Sequence, residues 1–178
     1  MNNMTPTLAA SPAALPPEGA NFSEGGPSEN FLPSAASAKS DFSWPVRVYW
    51  EDTDAGGIVF YANYLKFFER SRTEWLRSLG IEQQRLKASA GGLFVVIDSR
   101  IRYHRPARLD DELIVTASLV ETGGASMIIK QQALLKTEQI NTGAATLLCQ
   151  GTIRIGWVNA SSWQPARIPA CILDRLKT

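Results

Sequence analysis

The apolar positions of this chain change period along its length, and the changes mark its elements. Across residues 46–50, Val46, Val48 and Trp50 alternate with Arg47 and Tyr49, the two-residue period of a half-buried strand. Over residues 63–79 the period lengthens: Tyr64, Leu65, Phe68, Trp75, Leu76 and Leu79 recur at three- and four-residue steps and gather on one side of a helix. Lys66, Glu69, Arg70, Thr73, Glu74 and Arg77 fall mainly on the other side. Asn63 suits the N-cap and Gly80 the position just past the C-terminus, and Arg70 and Glu74 stand one turn apart with opposite charge. Such a helix would be roughly 25 Å long at about 1.5 Å per residue, enough to cross a small domain.

Residues 81–88 predict a short helical turn, and Ser89-Ala90-Gly91-Gly92 releases the chain. Alternation then predicts a long strand over 93–103, stopped by Pro106, which has no N–H for a sheet ladder. A second strand follows over 112–121, with Leu113, Val115, Ala117 and Leu119 on one face, and Gly123-Gly124 signals a hairpin into a strand over 126–136. Asn141-Thr142-Gly143 predicts the next turn, 144–158 the last strand, and 172–176 a terminal helical turn. The order is one strand, one helix and four further strands that run antiparallel. A sheet of this kind has one apolar face, and the long helix is the element large enough to cover it. The expectation is an α+β fold, a curved antiparallel sheet wrapped around one central helix, with Trp50 and Trp75 in the core.

Composition narrows this picture at the N-terminus. Residues 1–43 hold six of the ten prolines and eight alanines without periodic apolar spacing, which predicts a disordered tail before a folded domain over 44–178. A secretory leader needs an unbroken apolar run, and the stretch 8–15 is broken by Ser11 and Pro12. With no apolar segment long enough to cross a bilayer, a soluble cytoplasmic protein is expected. The folded part keeps 17 basic and 13 acidic residues, a mild positive balance that suits a phosphate-bearing small molecule, and its scattered Lys and Arg give no nucleic-acid patch. Cys149 and Cys171 are too few for a disulfide framework, and one histidine, His104, leaves no cluster for zinc. His104 itself reads as a surface residue at a strand end.

Chemistry concentrates ahead of the helix. Glu51, Asp52 and Asp54 precede Gly56 and Gly57, and the helix N-terminus brings free N–H groups and partial positive charge near them. The loop reads equally well as an ordinary solvated turn and as a ligand-binding loop. In the second reading a carboxylate beside amide donors is the equipment of acyl transfer, one group to attack or deprotonate and the other to hold an oxyanion. Asp52 reads as a loop or cap residue.

Residues 50–65, Trp-Glu-Asp-Thr-Asp-Ala-Gly-Gly-Ile-Val-Phe-Tyr-Ala-Asn-Tyr-Leu, resemble the active-site signature of hotdog-fold acyl-CoA thioesterases of the 4-hydroxybenzoyl-CoA thioesterase type. The resemblance continues through Phe-Phe-Glu-Arg-Ser-Arg-Thr-Glu-Trp-Leu at 67–76, Phe94-Val95-Val96 and Tyr-His-Arg-Pro-Ala-Arg-Leu-Asp-Asp-Glu-Leu at 103–113. It covers about residues 44–158 and is nearest to the Tol-Pal-associated, YbgC-like subgroup. It implies a hotdog fold and a hydrolase that splits acyl-CoA into carboxylate and CoA without metal or cofactor, CoA being part of the substrate. It makes Asp54 the catalytic carboxylate, the Tyr61 N–H the group that polarises the carbonyl, and Gly56, Gly57, Ile58 and Val59 the lining of the reacting end. Arg105 and Arg108 read equally well as solvated surface charge and as groups that reach the CoA phosphates. The subgroup usually carries His where this chain has Tyr61, whereas the hydroxybenzoyl branch carries Tyr, so a backbone role survives and an imidazole role does not. The resemblance further implies pairing through the sheets into a homodimer or homotetramer, and acyl carrier protein as a second partner. The alternative is a non-catalytic module that binds acyl-CoA or acyl carrier protein; a hotdog dehydratase would need a histidine near the helix.

Overall fold

The apolar stripe over residues 63–79 folds as helix α1 (Asn63–Ser78), which is seated against strands β1 (Phe42–Arg47), β3 (Glu112–Thr122) and β4 (Ser126–Leu135). The computed structural model describes residues 42–136 and 145–177. The tail expected over 1–43 therefore lies outside the described residues up to residue 41, and Phe42 and Ser43, assigned to it, form the start of β1. The turn expected at Asn141-Thr142-Gly143 also lies outside the described residues. The remaining elements are α2 (Gln83–Ser89), β2 (Gly92–Tyr103), β5 (Thr146–Asn159) and α3 (Ala170–Lys177).

The helix buries Tyr64, Phe67, Phe68, Ser71, Arg72, Trp75 and Leu76. Leu65, expected on that face, stands one residue off its centre line and is exposed. Asn63 does not cap the helix. Ala62 occupies the N-cap position, and the Asn63 side chain donates to Asp52 O at 2.9 Å, tying the acidic loop to the first turn. Glu74 pairs with Arg77 rather than Arg70. At the other end Gly80, at φ +71°, lets its own N–H reach Arg77 O at 2.9 Å and the Ile81 N–H reach Leu76 O at 2.9 Å, which satisfies the last carbonyls and stops the helix.

The five strands form one antiparallel sheet in the order β1-β3-β4-β5-β2. Gly123 and Gly124 make the expected β3–β4 hairpin, with Gly123 N–H on Ser126 O at 2.7 Å. β2 pairs with β5, from Gly92 opposite Asn159 to Tyr103 opposite Cys149. β3, β4 and β5 lie side by side in chain order, whereas β1 and β2 stand at opposite edges, and residues 104–111 cross from one edge region to the other. Register shifts between Val96 and Asp98, Leu119 and Glu121, and Ala133 and Leu134 add the local bends that curve a sheet around a helix. Gly151 lets the helix approach the sheet closely: a Cβ there would lie 3.0 Å from Phe68 Cε2 and 2.8 Å from Ile101 Cδ1.

Core side chains divide between two clusters along the helix. One joins Trp75, Leu76, Ile81, Leu86, Ile153, Trp157, Ile172 and Leu176, which brings α2 and α3 onto the sheet. The other joins Val46, Val48, Val59, Tyr64, Phe67, Phe68, Leu113, Val115 and Cys149 beneath the acidic loop. Trp75 is in the core as expected. Trp50 is not: the chain leaves β1 after Arg47, and a 3₁₀ turn over Trp50–Asp52 rotates the indole outward, leaving it 78% exposed.

Candidate active site

The acidic loop folds as a miniature hairpin. Asp54 N–H donates to Ile58 O at 2.9 Å, Thr53 bridges Val59, and Phe60 N–H donates to Asp52 O at 2.9 Å. Gly57, at φ +73°, makes the tight turn, with its N–H on Asp54 O at 3.0 Å. The second limb is held from outside by the crossing segment, through Val59 N–H on Ala107 O at 2.9 Å and a bridge between Ile58 and Arg108. Residues 104–111 thus serve as the support on which the loop rests.

Two aspartates two residues apart have opposite surroundings. Asp52 is 1% exposed, and its carboxylate accepts the Tyr49 N–H at 3.0 Å while its carbonyl takes Phe60 N–H and Asn63 Nδ2, so it is a loop anchor as expected. Asp54 is exposed. Its Oδ1 accepts the Gly56 N–H at 2.8 Å, and its other oxygen has no partner among the described residues. The amide fixes the direction of the carboxylate and leaves one oxygen available for chemistry.

The second limb runs directly into α1. Asn63 N–H reaches Phe60 O at 2.8 Å and Leu65 N–H reaches Ala62 O at 3.1 Å, whereas the Tyr61 N–H between these bonded groups has no partner among the described residues. A free N–H at the positive end of a helix is suited to a developing oxyanion. The hairpin therefore carries Asp54 on one limb and the open Tyr61 amide at the end of the other. The Tyr61 side chain is 62% exposed, with its ring 4.5 Å from Phe60 and 6.3 Å from Tyr103.

Of the other residues expected here, Gly56 and Gly57 are exposed at the turn and Ile58 is half-buried. Val59 is buried within the core cluster, so its side chain supports the loop from below. Arg105 and Arg108 are exposed, and their guanidinium groups form no ion pair among the described residues. Their backbones are fixed, Arg105 N–H on Leu148 O at 3.1 Å and Arg108 N–H on Asp111 Oδ2 at 2.7 Å. His104 is exposed on the same segment.

Sequence reasoning missed the tyrosines behind the loop. Tyr103 Oη donates to Tyr61 O at 3.1 Å, and Tyr64 Oη accepts the Ala107 N–H at 3.0 Å. Burial raises the pKa of both phenols, opposed at Tyr64 by the Ala107 hydrogen bond, so both remain protonated near neutral pH. These contacts join residues about forty positions apart, and only the strand phase of Tyr103 could have hinted at them. No three His, Cys, Asp or Glu side chains converge among the described residues.

Residues 56–140 match the family model of the thioesterase superfamily. The chain is 41% identical to the acyl-CoA thioesterase YbgC of Haemophilus influenzae over 72% of its own length and 88% of that protein. It is 38% identical to the acyl-CoA thioester hydrolase YbgC of Escherichia coli O6:H1 over 76% of its length and 96% of that protein. Among solved structures it superposes on a probable thioesterase from Bartonella henselae with a TM-score of 0.64 at 30% identity, covering 73% of this chain and all of that one.

Proposed function

The chain belongs to the thioesterase superfamily, among the YbgC-type acyl-CoA thioester hydrolases, and from that premise we propose that Asp54 and the Tyr61 N–H carry out the hydrolysis of an acyl-CoA. The fold is the hotdog fold expected from the sequence. The reaction adds water to a thioester carbonyl and breaks the C–S bond, giving a carboxylate and the thiol of CoA.

The observation that carries the assignment is the division of labour within one hairpin. A thioester whose carbonyl oxygen meets the Tyr61 N–H gains a donor where negative charge develops, and the removal of one such donor costs about 3 to 4 kcal/mol in other hydrolases. Asp54 supplies the base. Its carboxylate is aimed by Gly56 and exposed, so solvent water can reach it. Direct attack would first strip that water from the oxygen, whereas proton transfer uses it. Asp54 therefore takes a proton from the water as it adds to the carbonyl, and the collapsing intermediate expels the CoA thiolate.

Arg105 and Arg108 supply positive charge for the CoA phosphates, since neither guanidinium is committed to an acid among the described residues. A second copy of the chain pairs along β2. That strand is a 12-residue sheet edge with Val96 and Ile97 exposed, while the opposite edge, β1, has six residues and is interrupted by Pro45. The assembly is a homodimer or a homotetramer built from it, acting in the cytoplasm on acyl-CoA, with acyl carrier protein as a second acyl donor.

A panel of acyl-CoA substrates with free-thiol detection tests the reading. Asp54→Asn, which keeps the shape and loses the base, should lower kcat by at least ~10². A single turnover in ¹⁸O-water should place the label in the product acid; label in the Asp54 peptide would replace the water route by direct attack through a mixed anhydride. Binding of acyl-CoA without thiol release would support a non-catalytic module instead.

A further inference from the structure

Tyr61 is held on both sides of its free amide. On the N-terminal side, Phe60 N–H is fixed to Asp52 O at 2.9 Å. On the C-terminal side the Tyr61 carbonyl stands outside the helix ladder, because the Leu65 N–H four residues on donates to Ala62 O. The group that takes this carbonyl is Tyr103, whose hydroxyl donates to Tyr61 O at 3.1 Å. Tyr103 is the last residue of β2, so the bond runs from the end of a sheet strand to the start of α1. Its ring also stands edge-on to Tyr61, with centroids 6.3 Å apart, and to Tyr64 at 5.8 Å. Tyr64 is anchored by Ala107 at 3.0 Å.

These contacts fix different things. The ring contacts and the Tyr64–Ala107 bond pack the start of the helix onto the crossing segment. The Tyr103 hydroxyl holds the peptide that follows Tyr61, while Phe60 O, which accepts the Asn63 N–H at 2.8 Å, holds the peptide that carries the Tyr61 N–H, so both peptide planes that flank Tyr61 are restrained. A donor N–H must sit within a few tenths of an ångström of where the oxyanion forms, and small misplacements are costly.

We infer that Tyr103 is a positioning residue for thioester hydrolysis, acting through its hydroxyl on the Tyr61 carbonyl to hold the Tyr61 amide toward the substrate. The inference rests on the assignment of the Tyr61 N–H as the oxyanion donor. Because this role runs through the Tyr61 amide and not through a contact with substrate, loss of the hydroxyl should appear in the chemical step and not in binding.

Tyr103→Phe removes that hydroxyl and keeps the ring. With a short-chain acyl-CoA as probe and free-thiol detection, we expect kcat to fall roughly tenfold while KM stays within twofold, with an unchanged circular dichroism spectrum and a melting temperature within about 2 °C. Tyr103→Leu should lower both kcat and melting temperature. A Tyr103→Phe enzyme with kcat within twofold of wild type overturns the inference. So does a loss confined to KM, or one accompanied by loss of fold, since either gives the hydroxyl a binding or purely structural role. Tyr61→Pro, checked for folding by circular dichroism and measured alongside, separates the two levels. Turnover retained in a folded Tyr61→Pro removes the underlying reading and the inference with it, whereas its loss beside an unaffected Tyr103→Phe overturns the inference alone.

Discussion

Gly56 N–H donates to Asp54 Oδ1 at 2.8 Å, and a Cβ on the same glycine would stand 3.1 Å from that oxygen. A side chain at the residue that aims the carboxylate would therefore press on that oxygen and move it by a few tenths of an ångström. Gly56→Ala should leave folding intact, since the position is exposed and its backbone is not in the left-handed region, yet it should turn Asp54 away and lower kcat several-fold. Gly57→Ala is the contrasting case. Nothing lies within 4 Å of its added carbon, but φ is +73°, so the cost is about 1 kcal/mol of backbone strain. Melting curves and steady-state kinetics on both variants check the pair: Gly56→Ala should move kcat more, Gly57→Ala stability more.

At Tyr61 the amide and the side chain can be separated. The phenol is exposed and no hydrogen bond to its hydroxyl occurs among the described residues, so Tyr61→Phe should retain kcat within a few-fold. Tyr61→Pro deletes the N–H and should abolish turnover, with circular dichroism to confirm that the loop still folds. A loss of about 100-fold in a well-folded Tyr61→Phe would transfer the role from the main chain to the phenol.

Periodicity made the elements legible because each buries one face: the strand phases of Leu113, Val115 and Ala117 and the helical steps of Tyr64, Phe68 and Trp75 all end in the core. Strand order was not legible. It depends on residues 104–111, which carry no period and are placed by contacts to Ile58, Val59 and Tyr64. Trp50 followed the phase of Val46 and Val48, but the phase is broken by a 3₁₀ turn whose anchor is the buried Asp52. In the site, the loop and the helix start were readable as a local motif. The tie from Tyr103 to Tyr61 spans 42 positions and leaves no local trace.

The two cysteines should react very differently. Cys149 is buried in the core, and desolvation pushes its thiol up to about 12, whereas Cys171 is exposed on α3. At pH 8 the thiolate fraction of Cys149 is on the order of 10⁻⁴ even before access is considered. Iodoacetamide should therefore add one label to the native protein, at Cys171, and two after denaturation. Peptide mass spectrometry reads the sites, and rapid native labelling of Cys149 would show that the lower core opens readily.

Beneath the helix, Arg72 Nη1 donates to Gln131 Oε1 at 2.7 Å, and Gln131 Nε2 reaches Phe68 O at 3.0 Å, so one buried amide joins a guanidinium to the helix backbone. Burial lowers the Arg72 pKa, opposed by the charge of Glu69, and the Gln131 oxygen gives the disfavoured cation a hydrogen-bond acceptor. Gln131→Leu would leave that cation buried without its acceptor and should cost about 3 to 5 kcal/mol. Arg72→Met leaves Gln131 still bonded to Phe68 O and should cost less, about 1 to 3 kcal/mol. The double variant removes the desolvated charge together with its acceptor, so its cost should fall below the sum of the two. Urea unfolding at one fixed protein concentration measures the cycle. Additive costs would mean that Arg72 finds solvent when Gln131 is lost, and that the pair does not act as a unit.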